Sequence, residues 1–322
     1  MDRFQVAGEA PEPILASVIE ADANHLIGAA LFARSLRHCG RPLDHRLAIV
    51  DRPGRDTRRA LRMADCLGLN CIRVAPKHAN PFLGKWLCLD AYPELLASPF
   101  LVILDWDVLF LGGRGFPRPR GKCIQCRPNP PDMYANLLKR IEPSLPDSCS
   151  QWRGRVPSSA NSGVIVGSGP VLKECRNKTI RWEELISRAA PDARGWESEQ
   201  LAFSLALGEL DTSALPDSWN ATPLSPVPDS AVILWHYNDG HPVTRSLKRN
   251  LTDPAIVRTH LDSLRLRWPR AISVFESCYR GLEREFPGLL RNTPMDDPNW
   301  SRDRDSCGVA VPTPVRLEEE AG

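Results

Sequence analysis

Two carboxylates one residue apart, Asp105 and Asp107, interrupt the apolar run Phe100–Gly113, FLVILDWDVLFLGG. Phe100–Leu104 has the length and branching of a buried strand. A buried strand cannot hold a bare carboxylate, because desolvating the charge costs too much. The strand should therefore end near Asp105, with the acids emerging at its carboxyl end. Side chains alternate along extended backbone, so Asp105 and Asp107 point to the same side. Two carboxylates sharing a side repel each other unless a cation sits between them or one is protonated. An oxygen-only pair suits a hard divalent ion such as Mg²⁺ or Mn²⁺, with positions left open for phosphate oxygens. Asp-x-Asp at a strand end thus reads as a metal–diphosphate site. The plainer alternative, two polar residues in a strand–loop turn, stands until the rest of the chain is read.

The elements that would position this pair follow from the pattern upstream. Ile14–Ile19 is a short apolar strand. A helix then runs to about His38, with Leu26, Ala30, Phe32, Ala33 and Leu36 on its buried side, and Gly40 stops it. Arg46–Val50 is a second strand, Asp56–Leu67 a helix closed by Gly68, and Asn70–Val74 a third strand. This alternation implies a parallel sheet with right-handed crossovers. Lys85–Leu96 is expected as a helix leading into the Asp-x-Asp strand. Ligands of such sheets sit beyond the carboxyl ends of the strands, which puts Asp22, Asn24 and His25 on the same edge as Asp105 and Asp107. No GxGxxG or GxxxxGK[ST] follows the first strand, which argues against a dinucleotide or P-loop enzyme. The glycine-rich opening loop of sugar-phosphate nucleotidylyltransferases is missing as well.

Downstream, Arg114–Pro131 is rich in Pro, Arg and Gly, with a short strand at Lys122–Cys126. Met133–Ile141 is a short helix, and Asn161–Val166 is a strand entered through a polar turn. Leu172–Ala189 and Glu197–Leu207 are helices. Ala231–Leu234 is an apolar strand, with His236 just past its end.

Composition narrows the classes. Of the 322 residues, 42% are hydrophobic and 25% charged, which is ordinary for a globular protein. Lys+Arg total 41 against 39 for Asp+Glu, so no general field for nucleic acid exists. The first residues hold no apolar targeting segment, and no apolar run is long enough to span a bilayer. The ten cysteines are scattered, many within apolar patterns (Cys66, Cys71, Cys88, Cys278), which fits reduced thiols and a cytoplasmic location. Cys123 and Cys126 form one CxxC with no second pair at zinc spacing, so they read as ordinary thiols.

The motifs in order are Asp22-x-Asn24-His25, Asp105-x-Asp107, Asn161-Ser162-Gly163, Glu199-Gln200 and His236-Tyr237 with Gly240-His241-Pro242. In this order and spacing the chain resembles the A-type glycosyltransferases, and within them the retaining glycogenin and lipopolysaccharide galactosyl- and glucosyltransferase type. The resemblance covers about residues 13–245. It implies an α/β fold: one transferase domain with a mainly parallel central sheet flanked by helices, plus a helical C-terminal extension. The divisions expected are an arm at 1–12, a nucleotide-binding half at 13–113 and a donor-sugar and acceptor half at 114–245. A helical extension at 246–292 and a disordered tail at 293–322 complete the chain.

The resemblance also implies roles. Asp105, Asp107 and His236 would hold Mn²⁺ (or Mg²⁺), and the ion would hold the diphosphate of a UDP-sugar. Asp22, Asn24 and His25 would surround the base, with Lys85 and His241 near the phosphates. Asn161, Glu199 and Gln200 would face the donor sugar. Four positions depart from the family pattern. His25 stands where an aromatic residue, commonly Tyr, is usual, and Glu199 where Asp is usual. His241 is nearest to the place of a phosphate-binding Lys, and bulky Trp106 fills the middle of the metal motif. The competing functions are a nucleotidylyltransferase on a related fold and a non-catalytic nucleotide-sugar-binding protein. The acceptor (sugar, lipid-linked glycan or protein) is not readable. Pro254–Leu266 and Ile272–Phe286 read as amphipathic helices carrying Arg258, Arg265, Arg267, Arg270, Arg280 and Arg284. They form either a solvated helical cap or a peripheral patch, across 254–286, for an anionic membrane or acceptor.

Overall fold

The structure is a computed structural model that describes residues 12–286, apart from 42, 79, 114, 115, 120, 131, 132, 148–158, 194 and 239. The expected N-terminal arm, apart from Glu12, and the expected C-terminal tail lie outside the described residues. Strand β1 (Ile14–Glu20) leads into helix α1 (Ala23–His38). Asp22 begins α1 because its carboxylate accepts the orphan N–H groups of Asn24 and His25. Strand β2 (His45–Val50), helix α2 (Thr57–Cys66) and strand β3 (Cys71–Val74) follow, as the alternating pattern requires.

The helix expected over Lys85–Leu96 is broken. A 3₁₀ turn covers Pro81–Leu87, helix α3 is only Cys88–Ala91, and a second 3₁₀ turn covers Pro93–Ala97. Pro93 has no N–H and pushes Tyr92 out of the helical region, to φ −128° and ψ 82°. Strand β4 (Leu101–Leu104) stops one residue before Asp105, and β5 (Val108–Phe110) resumes one residue after Asp107.

Beyond them come β6 (Ile124–Pro128), α4 (Ala135–Ile141), β7 (Ala160–Gly167), α5 (Gly169–Ala189) and α6 (Trp196–Leu207). Then follow β8 (Thr212–Ala214), β9 (Leu234–His236), α7 (Pro242–Arg249), α8 (Pro254–Arg265) and α9 (Pro269–Glu285). The strand expected at Ala231–Leu234 begins three residues later, because Asp229–Ala231 forms a 3₁₀ turn behind Pro228. His236 therefore ends the strand rather than following it.

Among the described residues, seven strands form the main sheet in the order β3-β2-β1-β4-β7-β6-β8. β7 runs antiparallel to both its neighbours, while the other neighbouring pairs are parallel. A separate antiparallel pair joins β5 to β9 and sets Val108 opposite His236. One face of the sheet packs Ala16, Ile103 and Ile165 against Trp86, Leu89 and Phe203. The other packs Leu15, Val102 and Val164 against Phe32 and Leu36 of α1. The C-terminal helices are not an appendage. Leu261, Trp268, Ile272, Phe275 and Leu282 share one buried cluster with Ile27, Ala30 and Leu31 of α1 and with Trp235 of β9. Burial of each large side chain there is worth roughly 1.5–3 kcal/mol.

Candidate active site

Asp105 leaves β4 with its N–H bonded to Gly163 O of β7 at 2.9 Å. Asp107 lies just ahead of β5, and the β5–β9 register places His236 beside it. Asp105, Asp107 and His236 each offer a ligand atom, and these atoms lie within 4.8 Å of one another. His236 Nε2 is 3.2 Å from Asp107 Oδ1 and 3.8 Å from Asp105 Oδ2. Asp107 and His236 are only 2% and 3% exposed. Burial opposes the charge on Asp107, but Lys248 outweighs it and holds the carboxyl well below its ordinary range. Two carboxylates and an imidazole, brought together with Asp107 and His236 buried, are a donor set that fits Mn²⁺ or Mg²⁺. The three residues expected as ligands thus lie together.

A second cluster lies against the first. Lys85 Nζ is 3.0 Å from Asp105 Oδ1 and 3.8 Å from Glu199 Oε1. It also donates to Ser162 O at 3.0 Å and to Ser162 Oγ at 2.7 Å. Burial disfavours charge on Lys85, yet Asp105 and Glu199 prevail and raise its pKa. Ser162 is fully buried and joins everything here. Its Oγ accepts from Gln200 Nε2 at 2.5 Å and donates to Glu199 Oε2 at 3.1 Å. The far end of Gln200 is fixed too, since Oε1 accepts from Tyr134 at 3.1 Å. Glu199 is 1% exposed, and its Oε1 accepts no hydrogen bond among the described residues. Burial drives its pKa up to about 7 against the pull of Lys85.

The tripeptide Asn161-Ser162-Gly163 opens β7, and each residue has a distinct task. Asn161 Oδ1 accepts from Gly163 N at 2.9 Å and from Asn220 Nδ2 at 2.8 Å. Asn220 Oδ1 lies 3.0 Å from His236 Nδ1. Gly163 leaves the space that the His236 ring occupies. A Cβ there would lie 2.3 Å from His236 Cε1.

The residues expected round the base take other partners. Asp22 caps α1 and lies 3.7 Å from Arg55. Asn24 ties α1 to the α7–α8 connection through Arg249 O at 3.1 Å and Thr252 N at 3.3 Å. His25 stacks on Trp106, ring centroids 4.2 Å apart, and burial lowers its pKa to about 4. The bulk of Trp106 is accommodated by Gly28, where a Cβ would lie 2.3 Å from the indole. A glycine inside a helix costs roughly 1 kcal/mol relative to alanine, so Gly28 was a readable sign of close approach. His241 caps α7 by accepting from Val243 N at 3.3 Å. Lys248 of the same helix is the lysine that reaches the metal group, with Nζ 2.6 Å from Asp107 Oδ2 and 5.2 Å from the Trp106 ring centroid. Sequence reasoning passed over Lys248, Ser162 and Asn220.

Elsewhere, the arginines of the C-terminal helices are largely engaged. Arg265 and Arg280 pair with Glu276, and Arg258 pairs with Glu283. Arg267 donates to Ser225 O, and Arg270 donates to Leu111 O and Val232 O. The described cysteines are free thiols, Cys123 and Cys126 among them. No helix among the described residues is long and apolar enough to cross a membrane.

No family model matches the sequence. No curated protein matches it either. Solved structures do resemble the fold. The galactosyltransferase LgtC, in complex with donor and acceptor sugar analogues, aligns over 83% of this chain and 95% of its own, with TM-score 0.51 and 12% identity. The bifunctional glycosyltransferase WbbM aligns over 82% of this chain and 51% of its own, with TM-score 0.45 and 10% identity. GlyE of Streptococcus pneumoniae aligns over 72% of this chain and 55% of its own, with TM-score 0.45 and 14% identity. The last two are too distant to carry argument. With its mainly parallel sheet, its reversed β7 and the alignment to LgtC, the chain has the A-type glycosyltransferase fold.

Proposed function

We propose that this protein is a metal-dependent glycosyltransferase that moves a hexose from a UDP-sugar to an acceptor with retention of configuration. The observation that carries the proposal is the Asp105–Asp107–His236 group, set against Lys85, Ser162 and Gln200 on this fold. A bound divalent ion would neutralise charge developing on the departing diphosphate. Asp105, Asp107 and His236 would hold it. Lys85 and Lys248 place further positive charge beside the two carboxylates. Gln200, held at both ends of its amide, is assigned to the donor sugar. Glu199, buried behind Ser162 and Lys85, is assigned to act through them. Asp22 and Asn24 shape the base site through their contacts in and around α1. His25 supports Trp106 by stacking on its ring. Retention rests on the family resemblance alone.

The cysteine usage favours a cytoplasmic setting. The paired arginines of α8 and α9 favour a solvated cap over a membrane patch. The test is a thermal-shift screen of nucleotide-sugars with and without Mn²⁺. Ligand at a hundredfold over its Kd stabilises by about 2.7 kcal/mol, which is readily seen. UDP-sugars should raise the melting temperature only with the metal. A shift from nucleoside triphosphate alone, or none from any donor, would count against a transferase. NMR of the first-formed product then decides retention against inversion.

A further inference from the structure

We propose that Asn220 and Asn161 are positioning residues that lock His236 in its Nδ1–H tautomer, so that Nε2 presents its lone pair to the cation site. The inference rests on the metal reading above, and it runs along a chain of hydrogen bonds whose first donor cannot change. The backbone N–H of Gly163 can only donate, so the Asn161 atom that it meets at 2.9 Å is the oxygen. That oxygen can only accept, so the Asn220 atom 2.8 Å from it is the amide nitrogen. The other end of the same amide is then the Asn220 oxygen, 3.0 Å from His236 Nδ1. An oxygen facing Nδ1 requires Nδ1 to carry the proton. Neutral His236 is left with a bare Nε2, aimed between Asp105 and Asp107.

Neighbouring backbone supports the same arrangement. His236 N donates to Ala221 O at 2.7 Å, and Ala221 N donates to Leu234 O at 3.0 Å. The segment carrying Asn220 is therefore stitched alongside β9, and its amide is fully buried. Gly163 supplies both the first donor of the chain and the room for the ring. A bare nitrogen facing two carboxylates is an acceptor among acceptors. A cation placed between them turns that arrangement favourable, and it is the arrangement a metal ligand needs. On this reading Asn161 works through its oxygen and the relay, rather than by facing the donor sugar.

Asn161 makes the test sharp, because aspartate offers the same acceptor to both N–H groups. With ¹⁵N-histidine-labelled protein, long-range ¹H–¹⁵N NMR at alkaline pH identifies the tautomer, His236 being assigned by its loss in His236→Gln. The parent and Asn161→Asp should show a protonated Nδ1 and a bare Nε2. Asn161→Leu and Asn220→Leu should lose that preference. Titration calorimetry should then show Mn²⁺ affinity reduced roughly 10- to 100-fold in both leucine variants and kept or raised in Asn161→Asp. An Nε2–H tautomer in the parent overturns the proposal. So does Asn161→Asp failing as badly as Asn161→Leu. If Asn220→Leu does not fold, the parent spectrum and the Asn161 pair still decide. If the parent binds no Mn²⁺, the metal reading fails, while the spectrum still judges the relay.

Discussion

Glu199 is a buried carboxyl whose charge the fold resists, and replacing it with glutamine should expose the cost of that charge. Burial raises its pKa from 4.5 to about 7. A carboxyl raised on folding binds protons more tightly in the native state. Its contribution to stability is therefore full below about pH 4.5 and is lost as pH rises through about 7. Each pKa unit is worth about 1.4 kcal/mol, so the whole loss is about 3 kcal/mol. Most of it, about 2–3 kcal/mol, falls between about pH 5 and about pH 8. Glu199→Gln keeps an oxygen for the Ser162 hydroxyl and the Gln200 amide, and it carries no charge at any pH. Urea unfolding of parent and variant, followed by tryptophan fluorescence across that range, gives the difference at each pH and cancels the titrations they share. The variant should gain about 2–3 kcal/mol on the parent from the acid end to the alkaline end. A difference that stays flat would refute the reasoning and mean that Lys85 fully compensates the carboxylate.

Two further outcomes follow from the metal group. Lys248→Met removes an ammonium 2.6 Å from Asp107, so Mn²⁺ alone should bind at least about tenfold tighter by calorimetry at low salt, while UDP binding in saturating Mn²⁺ weakens. Unchanged Mn²⁺ affinity would show that the lysine does not contend for that carboxylate. Gly163→Ala puts a methyl group 2.3 Å from His236 Cε1, so the ring must shift, and Mn²⁺ affinity should drop by roughly 10- to 100-fold. Retained affinity in a folded variant would mean that the ring has another seat.

How much of this was readable in the sequence depends on how local each cause is. A buried strand cannot carry a carboxylate, and that alone placed Asp105 at the end of β4. The alternation of strands and helices from Ile14 to Val74 likewise gave the parallel half of the sheet. The break after Ala91 was legible in Pro93, but the amphipathic pattern across Lys85–Leu96 concealed it. Nothing local defines β9. Its bounds come from pairing with β5, so a periodicity reading started it three residues early. Lys248 stands 141 positions from Asp107, on a short helix where a lysine ordinarily reads as solvated. Asn220 sits in a connection whose place beside His236 depends on the tertiary bridge at Ala221. Ser162 lay inside a motif that was noticed. It went unassigned because a serine hydroxyl gains importance only from the three groups that converge on it.

The central claim is that one divalent ion bridges Asp105, Asp107 and His236 and takes a donor diphosphate. Crystals grown with Mn²⁺ and UDP, with data collected at the manganese absorption edge, test it most directly. The account predicts one anomalous peak within about 2.5 Å of Asp105, Asp107 and His236 Nε2, with both phosphates of UDP on its open side. A peak that leaves His236 out, or UDP bound with no peak between the two carboxylates, would contradict it.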